Sequence, residues 1–167
     1  MRRSISKIVT TAVAGSTLAV AAVLTTPTSA SAAATSKCSG TQHKEFDTIG
    51  FNLDVYINLC VHRTSGNNYY AKAHIAWKDG GGGLSTGMDD VTVNLRLERH
   101  DADYKTASGR YNGIMNLYQD GSGYAFSTGS YSSSSTGGWT ADGNVHWDIN
   151  NDGAGGGTWS LTGSPAI

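Results

Sequence analysis

The feature that most constrains the fold is a strict alternation of apolar and more polar residues along three segments of the chain. Apolar side chains occupy every second position at 51–61, again at 69–77 and again at 91–97. Because successive side chains of a β-strand point to opposite faces of a sheet, a period of two predicts strands with one buried face. Nowhere does the chain show a convincing helical period.

Turn-forming residues separate these segments. Clusters of glycine, asparagine, aspartate and serine lie at 65–68, 79–83, 120–123 and 151–157. Further strands are expected at 114–119, 124–128, 145–149 and 159–161. Such turns between short half-buried strands predict an all-β fold, either an antiparallel β-sandwich or an open barrel, with about six to eight short strands.

The N-terminal segment has the parts of a secretory signal peptide. Basic residues within the first seven positions precede an apolar run at 8–24, and small residues lead to a cleavage pattern ending at Ala32. Threonine, glycine and serine dilute the run, so it is too weak to persist as a transmembrane helix. We predict a secreted, extracellular protein without membrane insertion after cleavage. The predicted parts are a signal peptide at 1–32, an extended arm at 33–44 and a single β domain at 45–167.

The charge of the mature chain excludes one class of partner. Removing Arg2, Arg3 and Lys7 with the signal leaves nine Lys and Arg against thirteen Asp and Glu, a net charge of −4. A nucleic acid or an anionic membrane surface favours a basic protein. We therefore predict neither as a partner.

Both cysteines, Cys38 and Cys60, lie in the mature chain. An even count in an exported protein favours a disulfide, and closing this loop would stabilise the fold by roughly 3 kcal/mol on the chain-entropy model. Cys60 alternates with Tyr56 and His62 rather than with the apolar residues, so the bridge should fasten the arm across the outer face of a sheet. The arm then either covers a sheet edge or is presented to a partner for strand addition.

Aromatic residues among polar neighbours are the strongest candidates for a binding surface. Trp139 is flanked by glycine and threonine, and Tyr56, Tyr70 and Tyr118 lie at polar strand positions. Exposed aromatic rings on a rigid sheet anchor protein interfaces and also stack on sugar rings. The alternative is that two opposed sheets bury some of these rings.

Motifs of catalysis and metal binding are incomplete. Gly83 to Gly87 matches the G-x-S-x-G pattern around Ser85, but no helix follows it. Asp148, Asn150 and Asp152 match the opening of a calcium loop that lacks its closing glutamate, and they equally suit a hairpin turn. Five histidines lack paired ligand spacing: His43, His62, His74, His100 and His146. We expect a non-enzymatic protein without a required cofactor, with calcium as an open alternative.

The overall design resembles small secreted β-rich proteins of filamentous actinobacteria. The shared features are an arginine-led signal ending in Ser29-Ala30-Ser31-Ala32 and a Gly/Ser/Thr/Asn-rich β domain with one cysteine pair. That set includes protease and amylase inhibitors, carbohydrate-binding modules, and the adaptor subunit of umbrella toxin particles, whose N-terminal arm docks into a partner. The resemblance implies a binding protein of one of these kinds.

These observations predict a secreted binding protein that engages another extracellular protein through its arm and a polar aromatic face. An adaptor subunit of a toxin complex or an inhibitor is the leading specific form. A carbohydrate or cell-wall binding module is the alternative, and a secreted hydrolase is the third.

Overall fold

The computed structural model describes residues 33–48, 52–79, 87–150 and 152–167, so the predicted signal peptide at 1–32 lies outside it. All these residues belong to one compact unit, Ser31–Ile167. Within them the chain forms ten strands and one short helix. The elements are β1 (Thr35–Cys38), β2 (Gln42–Phe46), β3 (Leu53–Arg63), β4 (Asn68–Asp79), β5 (Met88–Arg99), β6 (Ala102–Arg110), α1 (Asn112–Met115), β7 (Asp120–Ser127), β8 (Tyr131–Ser132), β9 (Trp139–Ile149) and β10 (Gly157–Ser160).

The strands form two antiparallel sheets, which confirms the all-β prediction. In sheet A, β3 and β4 are central; β1 and β2 both pair with the free side of β3, and β7 and β8 both pair with β4. In sheet B the order is β10, β9, β5, β6. Strands β3 and β4 pack against β5 and β9, so the two sheets face each other as a sandwich.

The core lies between the inner faces of the sheets, where the alternation predicts it. The apolar positions of β3, β4 and β5 are buried, and the intervening positions face outward. The largest fully buried side chains include Leu53, Ile57, Leu59, Ile75, Leu95 and Leu97. Truncating one such leucine or isoleucine to alanine costs about 2–5 kcal/mol in typical cores.

The strand number exceeds the prediction because edge strands lack an alternating pattern. Strand β6 is largely exposed along both faces, so its sequence carries no apolar period. The region 114–119, predicted as a strand, instead contains the end of α1 and a turn. Met115 is buried there, and the Asn116 side chain exchanges hydrogen bonds of 3.0 Å with the backbone N–H and carbonyl of Met88. These side-chain hydrogen bonds stand in place of the backbone hydrogen bonds that a strand at 114–119 would form.

The predicted arm is an interrupted edge strand. Strand β1 pairs with the end of β3 and β2 with its beginning, with a register shift of one residue between them. Ser39 fills the gap, donating its N–H to the Leu59 carbonyl and accepting the Leu59 N–H through its hydroxyl. Residues 35–38 and 42–46 therefore form part of sheet A, which agrees with the alternative of an arm that covers a sheet edge.

The disulfide joins this edge strand to the sheet, as predicted. Cys38 and Cys60 are direct cross-strand partners with their Cα atoms 4.0 Å apart. Cys60 lies on the outer face of β3 but is itself buried. The bridge therefore fixes β1 at the end of sheet A where β3 leads into the turn at 65–67.

Candidate binding face

The outer face of sheet A carries most of the aromatic and imidazole side chains that lie outside the core. It consists of the positions of β1 to β4 and β7 that alternate with the buried residues. The members used below are His43, Tyr56, Asn58, His62, Tyr70, Lys72, His74, Ala76 and Lys78. We refer to this set as the outer face of sheet A.

Two histidine–tyrosine stacks order the rings of this face. His43 stacks on Tyr56 and His62 stacks on Tyr70, each with ring centroids 4.7 Å apart. Asp54 holds the His43 ring through a contact of 2.5 Å between Nε2 and Oδ1. Cross-strand ring pairs of this kind stabilise sheets and restrict the rings to one orientation. The face therefore presents pre-oriented aromatic surface.

A slot lies beside Tyr56 because the neighbouring residues are small. Tyr56 and Ala76 are cross-strand partners, and they line two adjoining depressions of about 200 and 290 Å³. Opposite Ala76, a bulge in β7 places Ser122 and Gly123 against one residue of β4. Gly123 has φ +77°, a conformation that favours glycine. We call this feature, formed by Tyr56, Ala76, Ser122 and Gly123, the Ala76 slot.

Two large hydrophobic side chains are exposed at the same end of sheet A. Leu117 is 73% exposed and Tyr118 is 58% exposed. The indole N–H of Trp77 donates a 2.9 Å hydrogen bond to the Tyr118 carbonyl, which ties this loop to β4. Adjacent exposed hydrophobic residues on a held loop are typical of interaction surfaces.

Burial and nearby positive charge keep the imidazoles of His62 and His74 neutral to lower pH than usual. Burial lowers the pKa of His62, and the positive charges of Lys72 and His74 lower it further. Desolvation and Lys72 likewise lower the pKa of His74. At neutral pH both rings therefore act as uncharged hydrogen-bonding groups.

Not every aromatic residue of the predicted face lies on it. Tyr56 and Tyr70 lie on the outer face of sheet A, and Tyr118 is exposed in the loop that leads into β7. Trp139 is 0% exposed, so the expectation that it forms part of the partner face is wrong. Its ring stacks on Tyr69 at 4.5 Å between the sheets, and its indole N–H bonds to the Ser135 carbonyl. The polar residues flanking Trp139 in sequence point away from the core.

The outer face of sheet B is different, because its polar side chains bond to one another. Asn94 donates to Asn144 at 3.0 Å and accepts from Ser108 at 2.7 Å. Arg96 contacts both Glu98 and Asp142. Burial, together with the charge of Asp142, raises the pKa of Glu98 above its usual value against the opposing effect of Arg96.

The His146–Asp90 pair on this face has the geometry of a general base and its orienting carboxylate. Asp90 accepts hydrogen bonds of 2.7 Å from His146 Nδ1 and from the Thr92 hydroxyl, and Arg110 lies 3.3 Å away. Burial raises the Asp90 pKa, but these two hydrogen bonds and the Arg110 charge outweigh it and leave the pKa low. A hydrolase would also need a nucleophile bonded to the histidine. The predicted candidate, Ser85, lies outside the described residues.

The calcium prediction rests on residues at the end of β9. Asp148 lies within that strand, and Asp152 Oδ1 accepts a 2.8 Å hydrogen bond from the Ala154 N–H, as in an aspartate turn. In the part of the chain that the structure describes, no three His, Cys, Asp or Glu side chains are grouped to hold a metal. Asn151 is outside that part, and calcium at Asp148, Asn150 and Asp152 stays a prediction.

Sequence reasoning missed several residues that shape the candidate face. Leu117 was included in a predicted strand, although its position between Asn116 and Tyr118 gives no alternation. Ala76 and Lys72 occupy polar positions of the alternating segment at 69–77, so their outward placement follows from the pattern. Their importance depends on cross-strand neighbours, which require the strand order.

Comparisons of the chain with protein-family models, curated proteins and solved structures find no match. No described helix has the length and apolar character needed to span a membrane. The chemistry of the two outer faces is therefore what bears on function.

Proposed function

We propose that this chain is a secreted, non-enzymatic binding domain that engages another extracellular protein through the outer face of sheet A. An adaptor subunit of a toxin complex or an inhibitor is the specific form that its resemblance to small secreted actinobacterial proteins implies. The observation that carries the proposal is the pair of adjacent exposed hydrophobic residues, Leu117 and Tyr118, in the loop that leads into β7, the strand that supplies Ser122 and Gly123 to the Ala76 slot.

This combination suits a protein interface. Interfaces obtain most of their binding energy from a few aromatic or aliphatic anchors that fill complementary depressions. Leu117 and Tyr118 supply anchors, and the slot beside Tyr56 can accept a side chain from the partner. The stacks of His43 on Tyr56 and His62 on Tyr70 lower the entropy cost of ordering the rings on binding.

The proposal assigns docking to the face rather than to the N-terminal arm. Strands β1 and β2 already use their backbone in pairing with β3, and the disulfide holds β1 in place. An arm used for strand addition would have to break these bonds. A partner can contact the outer face without any such rearrangement.

A carbohydrate ligand is the second candidate, favoured by the polar rim of the same slot. The Tyr56 ring lies beside Asn58 and His74, and Ser122 borders the adjoining depression. A sugar ring stacks its C–H face on an aromatic ring and directs its hydroxyls to surrounding polar groups. This ligand would use Tyr56 without needing Leu117 or Tyr118.

The test is capture of partners from culture supernatant by the mature, oxidised protein. Three baits are compared: the unchanged protein, the double variant Leu117→Ser/Tyr118→Ser, and the matched control Thr158→Ala/Ser160→Ala on the outer face of sheet B. The two control positions, Thr158 and Ser160, lie on β10 at the edge of the other sheet. Circular dichroism and urea unfolding first establish that the baits are equally folded.

We expect a stoichiometric protein partner that the unchanged and control baits capture and the Leu117/Tyr118 variant loses at least tenfold. Equal capture by all three baits would refute the assignment of the face. A parallel column series uses chitin, cellulose and peptidoglycan with a Tyr56→Ala variant. Retention that depends on Tyr56, without a captured protein, would transfer the assignment to carbohydrate binding.

A further inference from the structure

Two lysines of β4 occupy the outer face of sheet A in opposite electrostatic settings. The cross-strand neighbours of Lys78 are Asp54 and Asp120, one on each side. The cross-strand neighbours of Lys72 are Cys60 and Ser127. Directly opposed side chains lie about 4.5–5.5 Å apart at Cβ, so Lys78 has carboxylates within reach on both sides, whereas Lys72 has none at these two positions.

The surroundings of Lys72 extend this asymmetry along the sheet. Tyr70 and His74 are its neighbours on β4, and His62 lies diagonally across on β3. His62, Tyr70 and Arg63 also line one depression, together with residues 34–36 and 64–65. None of these residues is acidic. After burial, the charge of Lys72 is the next cause that lowers the pKa of both His62 and His74.

An uncompensated positive end is unusual in a mature chain whose predicted net charge is −4. A cation without a carboxylate neighbour keeps its full attraction for an incoming anion, whereas a cation between two carboxylates is already neutralised. We infer that the Lys72 end of the outer face of sheet A binds a carboxylate-rich segment of the protein partner. This inference rests on the proposed function, because it places the segment on the same face as the Ala76 slot.

The neighbouring groups suit carboxylate recognition. The Lys72 ammonium supplies the charge, and the imidazole N–H groups of His62 and His74 and the hydroxyl of Ser127 are hydrogen-bond donors. The His62–Tyr70 stack fixes one of these rings. A segment of several acidic residues could extend from Lys72 toward Arg63, while its apolar flank reaches Tyr56.

The experiment measures binding of a labelled octaglutamate peptide by fluorescence anisotropy at low salt. Octaglutamine is the uncharged control peptide, and polygalacturonate is a carboxylate-bearing polysaccharide of similar charge. Three proteins are compared: the unchanged chain, Lys72→Glu and Lys78→Glu. The two variants change net charge equally, on the same face of the same strand, so only local placement differs. Near-UV circular dichroism verifies that each variant is folded.

We expect octaglutamate to bind the unchanged chain, to bind Lys72→Glu at least fivefold more weakly, and to bind Lys78→Glu within twofold of the unchanged chain. Binding should weaken as salt increases, and octaglutamine should not bind. Equal losses in the two variants, or no octaglutamate binding at all, would overturn the inference. Tighter Lys72-dependent binding of polygalacturonate than of octaglutamate would also overturn it, in favour of an acidic glycan.

Failure here is distinguishable from failure of the proposed function. If octaglutamate does not bind but protein capture still depends on Leu117 and Tyr118, the protein-binding face stands and only the acidic segment is refuted. If octaglutamate binds at Lys72 but no protein is captured, the carboxylate-binding site at Lys72 stands and the proposed protein-binding function is refuted.

Discussion

At the scale of single residues, the contrast between Trp139 and Tyr118 shows how little local polarity reveals about burial. Each of these aromatic residues is followed by a polar residue in the sequence, yet one ring is enclosed between the sheets and the other is exposed. Trp139 is surrounded by Tyr69, Tyr104 and Tyr131, with centroid distances between 4.5 and 5.7 Å. Its contribution is therefore to stability rather than to recognition.

Replacement of Trp139 by alanine should lower the free energy of unfolding by about 3–5 kcal/mol, because it opens a cavity among packed rings. The matched control is Tyr118→Ala, which removes an exposed ring and should change stability by less than about 0.5 kcal/mol. Urea unfolding followed by far-UV circular dichroism, rather than by tryptophan fluorescence, measures the free energy of unfolding of both variants. Similar effects of the two substitutions would contradict the assigned burial.

The histidines of the outer face of sheet A predict a pH dependence with a definite sign. The folded pKa values of His62 and His74 are lowered, so the unfolded chain takes up these protons first as pH falls below the ordinary histidine value. Stability contributed by the neutral rings is thus present above that value and is lost as pH falls through it.

The double variant His62→Gln/His74→Gln should therefore lose less stability than the unchanged chain between about pH 7 and pH 5, around the usual histidine pKa. Urea unfolding at several pH values in this interval provides the comparison. Parallel stability curves for the two proteins would show that the rings do not contribute in this way.

At the scale of elements, the edge strand formed by β1 and β2 depends on two kinds of fastening. Strand β1 has the disulfide as well as its ladder, whereas β2 has side-chain contacts, including the stack of His43 on Tyr56 and the buried Phe46. Neither segment shows a clear alternation of apolar and polar residues. Their pairing is therefore explained by the free side of β3, with which both pair, rather than by their own composition.

Removal of the disulfide in Cys38→Ser/Cys60→Ser should lower the free energy of unfolding by roughly 3 kcal/mol on the chain-entropy model. Hydrogen exchange should increase sharply at 35–38 and much less at 42–46, because β2 keeps its own contacts. Urea unfolding and amide exchange of oxidised and variant protein measure the two effects. Equal exchange in both segments would mean that they open as one unit.

Strand β9 illustrates why some elements were hard to predict from the sequence. Its inward positions after Trp139 are Ala141, Gly143 and Val145, whose small side chains give a weak apolar period. Gly143 is required by close approach, since a Cβ there would lie 2.3 Å from the Asn94 carbonyl oxygen. Gly143 therefore marks a point where β9 passes close to β5.

At the scale of the whole molecule, the predictable part is the sandwich core and the unpredictable part is its surface. Alternation identified the inner positions of β3, β4 and β5 because each of these central strands has one face in the core. It could not identify β6, which lies at an edge, or the different settings of Lys72 and Lys78, which depend on which strands become neighbours. The order of the strands in sheet A determines which side chains become neighbours at the candidate site.

The outer faces of the two sheets also differ in their side-chain chemistry. On sheet B, hydrogen bonds link Asn94, Asn144 and Ser108 to one another. Sheet A presents stacked rings, a slot and an uncompensated lysine. This asymmetry makes substitutions on sheet B suitable controls for experiments on sheet A.

The exposed edge strand β6 has a consequence for behaviour at high protein concentration. A long bare edge is a template on which copies of a β protein add strand to strand and form fibrils. Strand β6 instead carries Lys105 and Arg110, and its pairing with β5 shifts register between Leu97 and Glu98. Exposed charge and irregular geometry oppose such addition, so this edge favours a dispersed protein over one that polymerises through its sheets.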